Sequence, residues 1–206
     1  MTANTATDDH EQTTVLIIED EENLADLYAL WLTTDYDVRT TYSGERGLEQ
    51  ASEEIDTVIL DRRMPGISGD EVLHAIREGD YDCCVVIVSA VTPDFDVLGM
   101  RFDDYLVKPV DRDELHAAVE RMRAKATYDD TVQEYLRLAT TEAKLQAEKT
   151  VQELQTNDEY ADLQRRIAGL RPDADGVAAI AAEGFNVGVE NSNTGSTATG
   201  VGEEED

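Results

Sequence analysis

Short, unbroken apolar runs recur along the first 125 residues and alternate with segments of helical spacing. The runs cover 15–19, about 38–42, 57–60, 84–88 and 105–107, and each predicts a strand. Val85-Val86-Ile87-Val88 is apolar without alternation, the pattern of a parallel strand covered on both faces. Between the runs, Leu24, Leu27, Tyr28 and Trp31 stand at i, i+3, i+4 and i+7 and form one helical stripe. Leu48 with Ala51, and Val72 and Leu73 with Ile76, mark two more; residues 94–100 are a weaker helical segment. Leu115, Val119 and Met122 form the last stripe, opened by the cap-competent Asp111 and Asp113. Five strands alternating with five helices predict an α/β domain over 14–125, a parallel sheet wound on both faces.

Past Lys125 the texture changes. Residues 127–155 lack Gly and Pro, and Val132, Tyr135, Leu136 and Ala139 keep helical spacing, as do Ala147, Val151 and Leu154. Thr156-Asn157-Asp158 interrupts with N-cap chemistry. Tyr160, Leu163, Ile167 and Leu170 then resume until Gly169 and Pro172 stop the helix. The prediction is a helical hairpin over 126–175. Leu138 and Leu145 fall off the main stripe, which argues against a strict heptad, and homodimerisation through these helices is carried as one option. Residues 1–13 read as a flexible lead. Residues 176–206, Gly/Asn/Ser/Thr-rich and ending Glu203-Glu204-Glu205-Asp206, read as a mostly disordered acidic tail.

Charge narrows the choice of partners. The chain of 206 residues carries a formal net charge of −29, and both halves are acidic. Binding to nucleic acid draws on a basic face that releases counterions from phosphates, so nonspecific binding to nucleic acid is disfavoured. Four lysines against 13 arginines, under this acidic excess, suit an interior of very high salt that screens self-repulsion. Cys83 and Cys84 are adjacent in an apolar run, which favours buried structural thiols and a reducing compartment. No apolar stretch has the length of a membrane helix and the first 13 residues lack the core of a secretion signal. The expectation is a soluble, cytoplasmic chain with no membrane partner.

The chemistry gathers at strand ends. The first run ends in Glu19-Asp20, the third in Asp61 followed by Arg62-Arg63-Met64-Pro65-Gly66, and the fifth leads into Lys108-Pro109. An Asp after a strand is ordinarily a turn or cap residue. Here three carboxylates and one ammonium arrive at the same sheet edge, where ligands of open α/β sheets bind. Clustered carboxylates repel unless a cation joins them, and an all-oxygen set suits Mg²⁺. Asp61 is then a candidate nucleophile toward a phosphoryl group, Lys108 a point charge for its oxygens, and Ser89 a hydroxyl donor. His10, His74 and His116 have no metal-ligand spacing and read as surface residues.

The succession Glu19-Asp20, Asp61 with Met64-Pro65-Gly66, Ser89-Ala90, and Tyr105 before Lys108-Pro109 resembles the receiver domain of two-component response regulators. That resemblance covers about 14–125 and implies a flavodoxin-like (βα)5 fold. It also implies phosphotransfer from a sensor histidine kinase to Asp61, Mg²⁺ held by Glu19, Asp20, Asp61 and the backbone carbonyl of Arg63, and a cis Lys108-Pro109 peptide. Ser89 and Tyr105 become a switch: the hydroxyl moves toward the phosphoryl group and the ring turns into the vacated space, changing the face of the fourth helix and fifth strand. Arg62 and Arg63 depart from the family's usual apolar or small residues; Arg63 is expected to lean over the site toward Glu19 or the phosphoryl group. Residues 126–175 resemble, less specifically, the HalX domain that follows receivers in salt-loving archaea.

The reading is a phosphoacceptor switch, not a turnover enzyme, that signals by protein-protein contact through its helical domain, to a second copy or another regulatory protein. Two rivals are kept. A Mg²⁺-dependent phosphohydrolase places a second acid two residues past its Asp nucleophile, where this chain has Arg63. A DNA-binding transcriptional regulator wants a basic recognition helix, which the acidic tail lacks.

Overall fold

Five parallel strands form one sheet: β1 (Thr14–Ile18), β2 (Asp37–Thr41), β3 (Thr57–Asp61), β4 (Cys84–Ser89) and β5 (Asp104–Val107), in the order β2-β1-β3-β4-β5. The computed structural model describes residues 12–79 and 81–172, with Ile180, Gly184 and Phe185. Nearly all of the expected lead and most of the expected tail lie outside the described residues. Strand order reverses beside β1, so the crevice at the carboxyl ends opens between β1 and β3.

Alternation within each strand feeds two buried layers. Val15 and Ile17 with Ile59, Val86 and Val88 face α1 (Glu22–Leu32) and α4 (Arg112–Lys125), through Ala25, Tyr28, Leu115, Val119 and Met122. Leu16 and Ile18 with Val58, Leu60, Val85 and Ile87 face the other side, where α3 (Gly69–Glu78) contributes Val72, Leu73 and Ile76 beside α2 (Gly44–Gln50). Both layers are apolar because a parallel sheet has no wet face, which is why the runs lack polar alternation. Reciprocal capping boxes, Ser68 with Glu71 and Asp111 with Glu114, start α3 and α4.

The helix expected over 94–100 does not form. Only a 3-10 turn, Phe95–Val97, is present: Asp94 caps it by accepting the Phe95 N–H at 2.6 Å, and Leu98 is already extended. Gly99 then sits at φ +86°, a left-handed position that ends any helical run. The sheet is therefore covered by four helices and a turn, and the place of the missing helix is taken by the C-terminal extension.

Among the described residues that extension forms α5 (Asp130–Glu148), α6 (Val151–Gln155) and α7 (Asp158–Leu170), where two helices were expected. The additional break falls at Lys149, and Thr150 with Glu153 forms the capping box that starts α6. α5 lies along β5 and α7 and is buried on two sides. Tyr135, Leu136 and Ala139 join the layer of α4, while Leu138 and Leu145 join Val97, Phe102 and Tyr105 on the other side. The two leucines leave the stripe because they pack on the sheet domain. Ile180 and Phe185, in the stretch read as tail, are buried with the first layer, 1% and 7% exposed.

At the opposite end of the sheet from the crevice, Asp103 is 5% exposed and organises the amino ends of the last two strands. Its carboxylate accepts from the Val85 N–H at 2.6 Å and from Arg77 at 2.7 Å, and pairs with Lys125 at the end of α4. Burial works against this charge, but Lys125 and Arg77 hold the carboxyl below its usual range. A depressed carboxyl adds stability above the unfolded value, about 3.9, and loses it as pH falls through the folded one. Asp103→Ala should therefore lower stability at pH 7 by about 3–5 kcal/mol, because the buried Lys125 and the partly buried Arg77 lose their carboxylate partner. In urea denaturation the gap between variant and wild type should close below about pH 3.9.

Candidate functional site

Register brings the strand tips level. Ile18 pairs with Leu60, Asp61 with Val88, and Ser89 with Val107, so Glu19, Asp61, Ser89 and Lys108 all emerge within one or two residues of a common line. The backbone N–H of Lys108 bonds the Ser89 carbonyl at 2.8 Å, and the Lys108-Pro109 peptide is cis. After Asp61 the chain turns through Gly66 at φ +77° and returns to start α3 at Gly69. A Cβ at Gly69 would stand 2.2 Å from the Asp61 carbonyl oxygen, so only glycine allows α3 to begin this close to the strand tip.

In the crevice Lys108 Nζ lies 2.7 Å from Glu19 Oε2 and 3.2 Å from Asp61 Oδ1. Glu19, Asp20 and Asp61 each present an oxygen within 4.8 Å of the others. Glu19 and Asp61 are 3% and 5% exposed, whereas Asp20 is on the solvent side. Three carboxylates thus face one ammonium. Burial pushes the Glu19 and Asp61 carboxyls up, Lys108 opposes it, and the neighbouring carboxylates, Asp61 for Glu19 and Asp20 for Asp61, push the same way as burial. On Lys108 burial pulls down, and the pairing with Glu19 and the charge of Asp61 overcome it and raise the amine above its usual value. The donor set is all oxygen and short of positive charge, which fits a hard divalent cation.

Ser89 is fully buried, its Oγ accepting the Val91 N–H at 3.2 Å. Tyr105 lies inside, 1% exposed, with its hydroxyl donating to the Val91 carbonyl at 2.6 Å and its ring edge-on to Phe102. Arg63 does not lean toward Glu19: its side chain is exposed, no ion pair joins the two, and its contribution to Asp61 is a backbone N–H. Glu19 has Lys108 as its partner, which removes the reason for Arg63 to fold inward.

The sequence reading missed the role of its neighbour. Arg62 is 8% exposed, and its guanidinium spans Asp70, at 2.9 and 3.1 Å, and Asp96. It was legible only as a departure, an arginine where an apolar residue is usual. The partners lie 8 and 34 positions away, and no local pattern announces them.

Comparison with known proteins agrees with this geometry. The profile of the response regulator receiver domain matches residues 15–120, and that of the HalX domain matches 124–183. A Haloferax volcanii protein named as a candidate transcriptional regulator is 41% identical over 158 residues, 76% of this chain but 27% of that protein. The response regulator ArlR of Staphylococcus aureus is 38% identical over 125 residues, 58% of this chain and 57% of ArlR. The chain thus spans about a quarter of the first relative and just over half of the second. Among solved structures, the receiver domain of a candidate LuxO repressor from Vibrio parahaemolyticus superposes with a TM-score of 0.53 at 27% identity, covering 59% of this chain and 97% of that one. A BeF3-activated DrrB receiver domain gives 0.51 at 26% identity, covering 55% and 98%. Among the described residues, no helix is long and apolar enough to cross a membrane.

The acidic cluster has a measurable consequence. A carboxyl whose folded value is raised costs stability at neutral pH, and the cost disappears below the carboxylate range where both states are protonated. Asp61→Asn in metal-free buffer at pH 7 should raise unfolding stability by on the order of 1 kcal/mol. The gain should vanish near pH 3, and a variant no more stable than wild type at pH 7 would contradict the repulsion inferred here.

Proposed function

The chain belongs to the response-regulator receiver family, its receiver followed by a HalX domain, and on that premise we propose that it is a phosphorylation-controlled signalling switch whose acceptor is Asp61. The observation that carries the proposal is Lys108 Nζ seated between Glu19 and Asp61 in the crevice. An ammonium at this place neutralises charge on transferring oxygens without committing a proton. The donor is the phosphohistidine of a sensor histidine kinase: an Asp61 carboxylate oxygen attacks phosphorus, the N–P bond breaks, and the chain holds an acyl phosphate.

Glu19, Asp20, Asp61 and the Arg63 carbonyl would hold Mg²⁺, which when bound screens the incoming phosphoryl charge against the carboxylates. Asp61 is kept aimed by Lys108 and by the Arg63 N–H. Ser89, one residue beyond the pairing level of Asp61, is the hydroxyl that turns to the new oxygens. Tyr105, whose hydroxyl rests on the Val91 carbonyl, follows that movement.

The switch reading stands above phosphohydrolase chemistry because the position two residues past Asp61 is the exposed cation Arg63. Output passes through the helical domain by protein contact. The large apolar side chains Tyr135, Leu136, Leu138 and Leu145 of α5 are buried within the chain, so a second copy or another regulator would meet its outer surface. A transcriptional role is the second reading, favoured by the name of the Haloferax relative; retention of the phosphorylated chain on promoter DNA at multimolar salt would establish it.

Incubation with acetyl phosphate and Mg²⁺, followed by intact-mass measurement, tests the acceptor. Wild type should gain one phosphoryl group and Asp61→Asn none. Lys108→Met should be phosphorylated about 100-fold more slowly, as for loss of one oxyanion donor. Steady phosphate release without a mass gain would instead support hydrolysis.

A further inference from the structure

The fork of Arg62 reaches beyond the site. Burying a guanidinium is unfavourable unless it is paired, and here Asp70 first, then Asp96 and Tyr105, hold it so firmly that its proton affinity rises above the ordinary. Asp70 belongs to the first turn of α3, and Asp96 to the Phe95–Val97 turn that stands where a fourth helix was expected. One side chain thus ties the residue after Asp61 to two separate elements.

The same turn is gripped from outside by the HalX domain. Lys149, at the end of α5, places Nζ 2.8 Å from Asp94 Oδ1 and 5.4 Å from the centre of the Phe95 ring. Receiver and extension therefore both hold one short segment, Arg62 through Asp96 and Lys149 through Asp94 and Phe95. Polar contacts and apolar packing lead from the crevice to this segment. Ser89 Oγ accepts from Val91 N and the Val91 carbonyl accepts from Tyr105, whose ring is buried in one cluster with Val97 of the turn, while Arg62 holds Asp96 of the same turn.

We propose that Arg62 is a positioning residue that couples the state of Asp61 to the HalX domain, with the Phe95–Val97 turn as the shared part. The inference rests on the phosphoacceptor reading of Asp61. A planar guanidinium bonded to several partners has few alternative arrangements, so a shift in one partner is passed to the others instead of being absorbed by a flexible stem. When Ser89 turns to a phosphoryl group, the Val91 N–H loses its acceptor, and Arg62, by holding Asp96, makes the turn follow the rearrangement at Val91 and Tyr105. A network of this kind is shown by coupling, not by proximity.

The test is hydrogen exchange on the full chain, read over residues 142–155, with and without acetyl phosphate and Mg²⁺, beside intact mass. In wild type, phosphorylation should change exchange at the end of α5 by about five-fold or more, the low end of ordinary coupling between sites. Arg62→Met should still gain the phosphoryl mass but lose that response. Asp96→Asn, whose side chain is 54% exposed and not needed for the core, should lose it too. Asp70→Asn should keep it, since the turn remains tied. If Arg62→Met does not fold, Asp96→Asn decides alone. A wild-type response retained in Asp96→Asn overturns the proposal, as does a phosphorylated wild type with no response, and both leave Asp61 as acceptor. A wild type that gains no mass defeats the acceptor reading itself and this inference with it.

Discussion

Lys108 sits in a crevice where three carboxylates converge, and the rest of the architecture is arranged so that it can. Its Nζ meets Glu19 from β1 and Asp61 from β3, residues brought together only because β1 and β3 are neighbours in register. Repulsion among buried carboxylates opposes this meeting, so the sheet must hold the tips in place by other means. Two fully apolar layers do so, and Gly69 lets α3 press on the back of the Asp61 tip. Burial and mutual repulsion leave these carboxyls short of positive charge, so an added cation would relieve a balance that is already unfavourable.

The HalX domain is part of the receiver's packing. Leu138 and Leu145 enter the layer that contains Tyr105, while Lys144 Nζ reaches Asp104 of β5 at 3.0 Å. The family's fourth helix is reduced to one turn, and α5 with the residues after it covers the vacated side. This makes the extension a direct neighbour of the Tyr105 ring and of the turn held by Arg62. The helices and the crevice are thus joined through one buried layer.

Much of the site could be read from the chain because strand ends carry their chemistry in sequence. An apolar run followed at once by Glu19-Asp20, by Asp61 or by Lys108 is a local pattern, and parallel strands in an open sheet send such residues to one edge. The two leucines off the α5 stripe were legible as an anomaly and not as a contact, since periodicity on one helix does not say which neighbour it meets. The segment 94–100 was misread as a weak helix although Gly99 lies within it. Gly99 and the docking of Lys149 decided otherwise, and the second of these is a contact 55 residues away.

Sequence alone determined the α/β alternation, the helical extension, the acidic character and the arrival of Glu19, Asp20, Asp61 and Lys108 at one sheet edge, because each stands at or beside a strand end. Tertiary structure alone decided that Lys108 is shared by two carboxylates, that Tyr105 lies inside, that Arg63 stays out and that Arg62 forks to Asp70 and Asp96. It also decided that α5 replaces a receiver helix against β5. The physical reason is range: propensity and capping act over a turn or two, whereas the partner of a buried charge is chosen by desolvation among all groups the fold brings within reach.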